Sequence, residues 1–147
     1  MRQMVVILIL SSCISGQNCW SVTYTHQRIC ALKGSTVDIS CSYTYPSYHQ
    51  IKTAFWFTEW ESGMDAEDLS SVPGYEGHIE YLGDNKSDCT LRITDLRLSD
   101  IAGYRFRFIT SGEKIHGSTV SLAVIGNLSL ISHITLVTLI RAVIQTQ

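Results

Sequence analysis

The stretch Asp100-Ile-Ala-Gly-Tyr-Arg-Phe-Arg-Phe108 decides how the rest of the chain is read. From Tyr104 onward, large rings at Tyr104, Phe106 and Phe108 alternate with Arg105 and Arg107. A period of two puts the rings on one face of a strand and the arginines on the other. The same alternation recurs outward from this point. Upstream, Cys89, Leu91 and Ile93 alternate with Thr90, Arg92 and Thr94, and Val37, Ile39 and Cys41 alternate with Asp38 and Ser40. Downstream, Val120, Leu122 and Val124 alternate with Ser121 and Ala123. Gly, Ser, Asn and Asp separate these runs, and the one short helical turn expected is Asp95 to Asp100. The pattern is that of an all-β chain with many antiparallel strands, its most irregular stretch being Glu61 to Gly77.

Composition agrees with one small domain. The 147 residues are 45% hydrophobic and 16% charged, and eleven Lys+Arg against thirteen Asp+Glu give a net charge of −2. Such a balance argues against a nucleic-acid partner. Met1-Arg2 precedes an apolar run from Met4 to Leu10 and small residues to Gly16, so residues 1–16 read as a cleaved signal peptide and the protein as extracellular, either secreted or on the outer face of the plasma membrane. Cleavage there removes Cys13 and leaves Cys19, Cys30, Cys41 and Cys89, an even number in an oxidising compartment. Disulfides are then the default, with three connectivities open and an intermolecular bond as a further option. Neither a metal site nor a cofactor is expected, since there is no CxxC, HExxH or phosphate-cradling GxxxxGK. Residues 17–125 form the expected domain. Residues 126–147 make an apolar tail broken by His133 and Arg141, which fits a truncated or alternative C-terminus and offers a route to membrane association. Asn85-Lys-Ser87 and Asn127-Leu-Ser129 fit the N-glycosylation pattern, and Asn85, on an expected loop, is the better acceptor.

The Asp100-Ile-Ala-Gly-Tyr104 motif resembles the corner before strand F of immunoglobulin-type sandwiches, where a tyrosine hydroxyl bonds back to upstream backbone. Cys41 on a strand B and Trp56 fifteen residues later on a strand C add two more markers of that fold. The fourth is displaced: two residues after Tyr104 the chain has Phe106 instead of cysteine, and Cys89 lies on what would be strand E. A Cys41–Cys89 bond would join strands of one sheet. Closing such a loop contributes about 4 kcal/mol in the chain-entropy model whichever sheet it lies in. Without a covalent tie across the core, Phe106 is free to fill the space between the sheets.

With these departures, the region from Trp20 to Val124 resembles the siglecs, sialic-acid-binding immunoglobulin-like lectins with an amino-terminal variable-type domain. The segments that carry the likeness are Cys41-Ser-Tyr-Thr-Tyr-Pro46, the run from Tyr81 to Leu96 and Gly103-Tyr-Arg-Phe-Arg-Phe108. The resemblance implies a V-type sandwich with an intrasheet B–E disulfide between Cys41 and Cys89. It also implies that Arg107 on strand F holds a sialic acid carboxylate, a role suited to a guanidinium's planar fork, and that Trp20 meets the acetamido group. The implied partners are sialylated glycoproteins or glycolipids, in cell adhesion or immune-cell recognition.

Three departures from the family pattern bear on this. The aromatic on strand G has no counterpart between Ser111 and Gly117, where Lys114, Ile115 and His116 stand. The extra cysteine before strand B is Thr36, which leaves Cys19 and Cys30 as a second candidate pair. The arginine that pairs with the corner aspartate is replaced near Gly77 by His78, set either to bond Asp100 or to lie on the surface. The alternative function is a V-set domain that binds a protein ligand without sugar. An enzyme is not expected, since no nucleophile, base and oxyanion constellation is legible.

Overall fold

The computed structural model describes residues 19–58, 66–126 and 140–145. The signal peptide expected over residues 1–16, the acceptor Asn127 and most of the apolar tail lie outside these. Ten strands among the described residues form two layers. The first contains β1 (Ser21–Tyr24), β3 (Val37–Ile39), β4 (Cys41–Thr44), β6 (Ile79–Tyr81) and β7 (Leu91–Ile93). Here β1 pairs with β4, and β3 with β7 and then β6, with only Ser40 separating β3 from β4. The second layer runs β2 (Arg28–Leu32), β10 (Val120–Ile125), β8 (Ala102–Thr110) and β5 (Ile51–Thr58), with β9 (Lys114–His116) also on β8.

Among the described strands all pairings are antiparallel except one. The chain leaves the first sheet after Tyr24, and β2 then runs parallel to β10 in the second, Ser121 lying opposite Arg28 and Ile125 opposite Leu32. Alternation along single strands carries no information on that crossing, because it is a choice of partner rather than of face.

The expected inward faces are buried: Ile39, Cys89, Ile93, Tyr104, Phe106, Phe108 and Val120 are all sealed from solvent. Phe106 is the ring around which the layers close. It lies 5.3 Å from Tyr43 of β4, 5.7 Å from Trp56 of β5 and 6.2 Å from Tyr81 of β6, centroid to centroid. The Cys41–Cys89 disulfide links neighbouring positions of one sheet, with Cα atoms 4.8 Å apart and the Cys89 amide donating to the Cys41 carbonyl. A polar tie crosses between layers instead: the Trp56 indole Nε1 donates to the Cys89 carbonyl at 2.8 Å, buried.

The second candidate pair is not formed. Cys30 is a free thiol and Cys19 is held in a disulfide that does not involve it. The two lie in different layers, Cys19 just ahead of β1 beside β4 and Cys30 on β2 beside Ala123 of β10. Eleven residues of sequence separation therefore bridge the sandwich instead of closing a local loop. Burial pushes the Cys30 thiol pKa up, which disfavours its reactive thiolate.

The corner before β8 is closed by the Tyr104 hydroxyl, which donates to the Asp100 carbonyl at 2.6 Å. A short 3-10 turn, Leu98–Asp100, falls where the single helical turn was expected. His78 meets Asp100 at 3.0 Å, both side chains buried, so this histidine takes the bonding role and not the surface one. Its ring stacks on Tyr75, whose hydroxyl in turn meets that of Tyr104.

Asn85 is exposed in the loop between β6 and β7, and Asp84 fixes that loop. One oxygen of its carboxylate accepts the amides of Lys86, Ser87 and Asp88 at 2.8–2.9 Å, holding the group below its ordinary value of 3.8, the Asp88 bond contributing most.

Two outcomes follow. Replacing Trp56→Phe removes the interlayer hydrogen bond and leaves a small cavity where the larger indole packed, lowering stability by about 2–4 kcal/mol, read as a shifted urea midpoint by circular dichroism. Because the Asp84 pKa is depressed on folding, its contribution is complete above pH 3.8 and is lost as pH falls through the lower folded value. Measured against the intrinsic exchange rate at each pH, the protection of the Lys86, Ser87 and Asp88 amides therefore falls selectively in acid, and Asp84→Ala removes the same protection at neutral pH.

Candidate ligand-binding face

Inward rings on β8 force Arg105 and Arg107 onto the outer face of the second sheet. The register then decides what lies beneath them. Phe55 of β5 is opposite Arg107, and Phe57 is opposite Arg105. Since Trp56 takes the core side of β5, both phenylalanines are turned outward, and Phe57 is nonetheless buried. The Arg107 guanidinium carbon lies 5.1 Å from the Phe57 centroid and 5.9 Å from that of Phe55, while Arg105 lies 5.8 Å from Phe57. The two rings form an apolar floor, and the cation–π attraction holds the guanidinium planes against it.

The arginines differ in their polar partners. Arg105 Nε donates to the Gly117 carbonyl at 2.9 Å, which anchors it to the chain leaving β9. Arg107 Nε is buried without a hydrogen-bond partner among the described residues. Arg92 on the opposite sheet shows the alternative: its Nε and Nη2 grip both oxygens of Asp38 at 2.8 and 3.0 Å. No described carboxylate fills the Arg107 fork in that way. A preset, uncompensated guanidinium on an aromatic floor is suited to a planar two-oxygen anion.

On the far side of β8, His116 of β9 is opposite Arg107 and Lys114 is opposite Ile109. The strand then breaks before β10 at Gly117, whose amide donates to the Phe106 carbonyl. A side chain at Gly117 would collide with the Tyr24 hydroxyl and with Val22 at 2.7 Å. That hydroxyl accepts the Phe106 amide at 3.2 Å, so β1 reaches across the sandwich to brace β8 one residue before Arg107. Burial raises the Tyr24 pKa, with the Phe106 amide and the charge of Arg105 pulling the other way.

Residues 31–127 match the family model of the B-cell receptor CD22-like, first Ig-like domain. The chain belongs to that family. This agrees with the siglec resemblance of the sequence and with the sandwich, the intrasheet disulfide and the tyrosine corner already described.

Within this CD22-like domain, Arg107 takes the outward position expected of it. Trp20 is half-buried, 6.2 Å from Phe108 in a stacked arrangement and 4.7 Å from His49 edge-on. No described contact joins it to Arg107. Phe55, Phe57, Tyr24 and Gly117 were not singled out from the sequence. The first two were within reach, since outward facing follows from Trp56 by period two, but their placement beneath the arginines needs the β5–β8 register. A cavity of about 150 Å3 flanks Phe55 between β5, β6 and the 3-10 turn Leu69–Ser71, with Leu69, Ile79, Tyr81 and Leu91 in its wall. Asp68 and Ser70 are its polar lining residues, and neither Arg107 nor Trp20 lines it.

Gly117→Ala is expected to destabilise the domain by about 1–3 kcal/mol through overpacking against Tyr24. The check is a thermal or urea melt, with Gly103→Ala, whose added methyl group meets the Thr119 side chain, as a comparison at another tight glycine.

Proposed function

We propose that this domain is a lectin module that binds sialylated glycans of glycoproteins or glycolipids at or outside the cell surface, with Arg107 holding the sialic acid carboxylate. The observation that carries the reading is the guanidinium of Arg107, laid over Phe55 and Phe57 with no described carboxylate in its fork. A carboxylate arriving there meets two donors in a plane, backed by a low-dielectric floor that strengthens charge-assisted hydrogen bonds. Membership of the CD22-like family supports the choice of an acidic sugar over other carboxylates. Trp20 is the second contact in this reading, a partly exposed indole that supports the acetamido methyl. Asn85, exposed in its loop, is the proposed N-glycan acceptor. No helix among the described residues is long and apolar enough to cross a membrane.

One observation favours a second reading, in which the same sheet binds a protein without sugar: β9 carries Lys114, Ile115 and His116 and no aromatic for the sugar's side chain. The two readings part in one experiment. A multimerised domain is applied to a glycan array and to cells with and without sialidase treatment, beside Arg107→Ala and Trp20→Ala. The lectin predicts binding confined to sialylated glycans, reduced about tenfold or more by Arg107→Ala with an unchanged melting temperature, and reduced less by Trp20→Ala. Cell binding that survives sialidase and the arginine substitution would replace it with the protein-binding reading.

A further inference from the structure

β1 touches the strand that carries Arg107 at both of that residue's neighbours. Trp20 immediately precedes β1, and by period two Trp20, Val22 and Tyr24 share the face that packs against the core. The Trp20 indole stacks on Phe108 at 6.2 Å, and the Tyr24 hydroxyl accepts the Phe106 amide at 3.2 Å. Arg107 stands between these two residues and faces the other way.

The Tyr24 bond sits at a break in the sheet. β9 ends at His116, opposite Arg107, and β10 begins at Val120, opposite Tyr104, so Phe106 lies between the two ladders. Its carbonyl accepts the Gly117 amide at 3.0 Å, and its amide donates to the hydroxyl arriving from the first layer. The missing side chain at Gly117 leaves the room: a Cβ there would collide with the Tyr24 hydroxyl and lie 2.9 Å from its ring carbon Cζ. The Gly117 carbonyl in turn accepts Arg105 Nε at 2.9 Å. The Arg105 guanidinium shares the Phe57 ring with that of Arg107, at 5.8 and 5.1 Å. One continuous set of contacts therefore runs from the buried hydroxyl through Gly117 and Arg105 to the floor on which Arg107 lies.

We propose that Tyr24 is a positioning residue for Arg107: its hydroxyl holds the gap between β9 and β10 in the shape that presents the guanidinium to a carboxylate. The inference rests on the lectin reading above and deepens it. Without the hydroxyl the buried Phe106 amide loses its acceptor, a costly state that is relieved when the chain at Gly117 moves or water enters the gap. Either change displaces the carbonyl that anchors Arg105, and with it the ring that both arginines share. A two-donor fork works only when held within about 0.5 Å of its productive geometry, so a small displacement costs affinity.

The test titrates a panel of sialylated oligosaccharides, with sialyllactose in both linkage forms, against the full chain, Tyr24→Phe, Gly117→Ala and Ile93→Val, each with its urea midpoint. Ile93→Val removes one methyl group from a sealed position on β7, which pairs with β3 and β6, and so lowers stability without touching the hydroxyl. Tyr24→Phe is expected to weaken binding about fivefold, whereas Ile93→Val lowers the urea midpoint and leaves affinity unchanged. In Tyr24→Phe the Phe106 amide loses hydrogen-exchange protection and the side-chain Nε–H signals of Arg105 and Arg107 shift in the nuclear magnetic resonance spectrum; in Ile93→Val they do not. Gly117→Ala displaces the hydroxyl from the other side, gives the same loss of affinity, and carries the measurement if Tyr24→Phe does not fold. The double variant binds no more weakly than either single one. Unchanged affinity in Tyr24→Phe, or an equal loss in Ile93→Val, overturns the positioning role and leaves the lectin standing. Failure of the folded full chain to bind any member of the panel overturns both.

Discussion

Everything about this domain depends on a phenylalanine standing where a sandwich of this type ordinarily has a cysteine. Phe106 fills the space between the layers, touching rings from β4, β5 and β6, and the covalent link moves sideways into the first sheet as Cys41–Cys89. The layers are then held by packing and by buried hydrogen bonds that cross between them, from the Trp56 indole to the Cys89 carbonyl and from the Phe106 amide to the Tyr24 hydroxyl. A disulfide restricts the unfolded chain whether or not it crosses the core, so its stabilising effect survives the move. What changes is the interior, which becomes an aromatic cluster in place of a covalent strut.

That arrangement also builds the candidate site. Rings at Tyr104, Phe106 and Phe108 oblige Arg105 and Arg107 to face outward, and Trp56 in the core obliges Phe55 and Phe57 to do the same on the neighbouring strand. Core and site are two faces of the same alternation. The backbone beneath Arg107 is further braced from the other sheet, through the Tyr24 hydroxyl that reaches the Phe106 amide past Gly117. A binding group held on strands and supported from behind loses little freedom when it engages a ligand.

The corner of the fold shows how one substitution is absorbed. His78 meets Asp100 in a buried pair, stacks on Tyr75, and through it joins the Tyr104 hydroxyl. Asp100 also accepts the Arg97 amide with its second oxygen, so its acceptor capacity is shared between backbone and ring. A buried carboxyl needs such partners, because an unsatisfied one is costly in a low-dielectric interior.

Strand content, the inward and outward sets, the tyrosine corner and the outward arginine were all legible in the sequence, because a period of two is a property of each strand by itself. The displaced cysteine was legible as well, since it only required comparing Cys89 with Phe106. Tertiary structure alone decided which strands lie side by side: the parallel meeting of β2 and β10, and the two phenylalanines under Arg107. It also separated Cys19 from Cys30, which the absence of a cysteine at Thr36 had left as a candidate pair. The physical reason is the same in each case. Facing is set by local backbone geometry, whereas pairing and register are set by burial of the whole apolar surface, a sum over residues far apart in the chain.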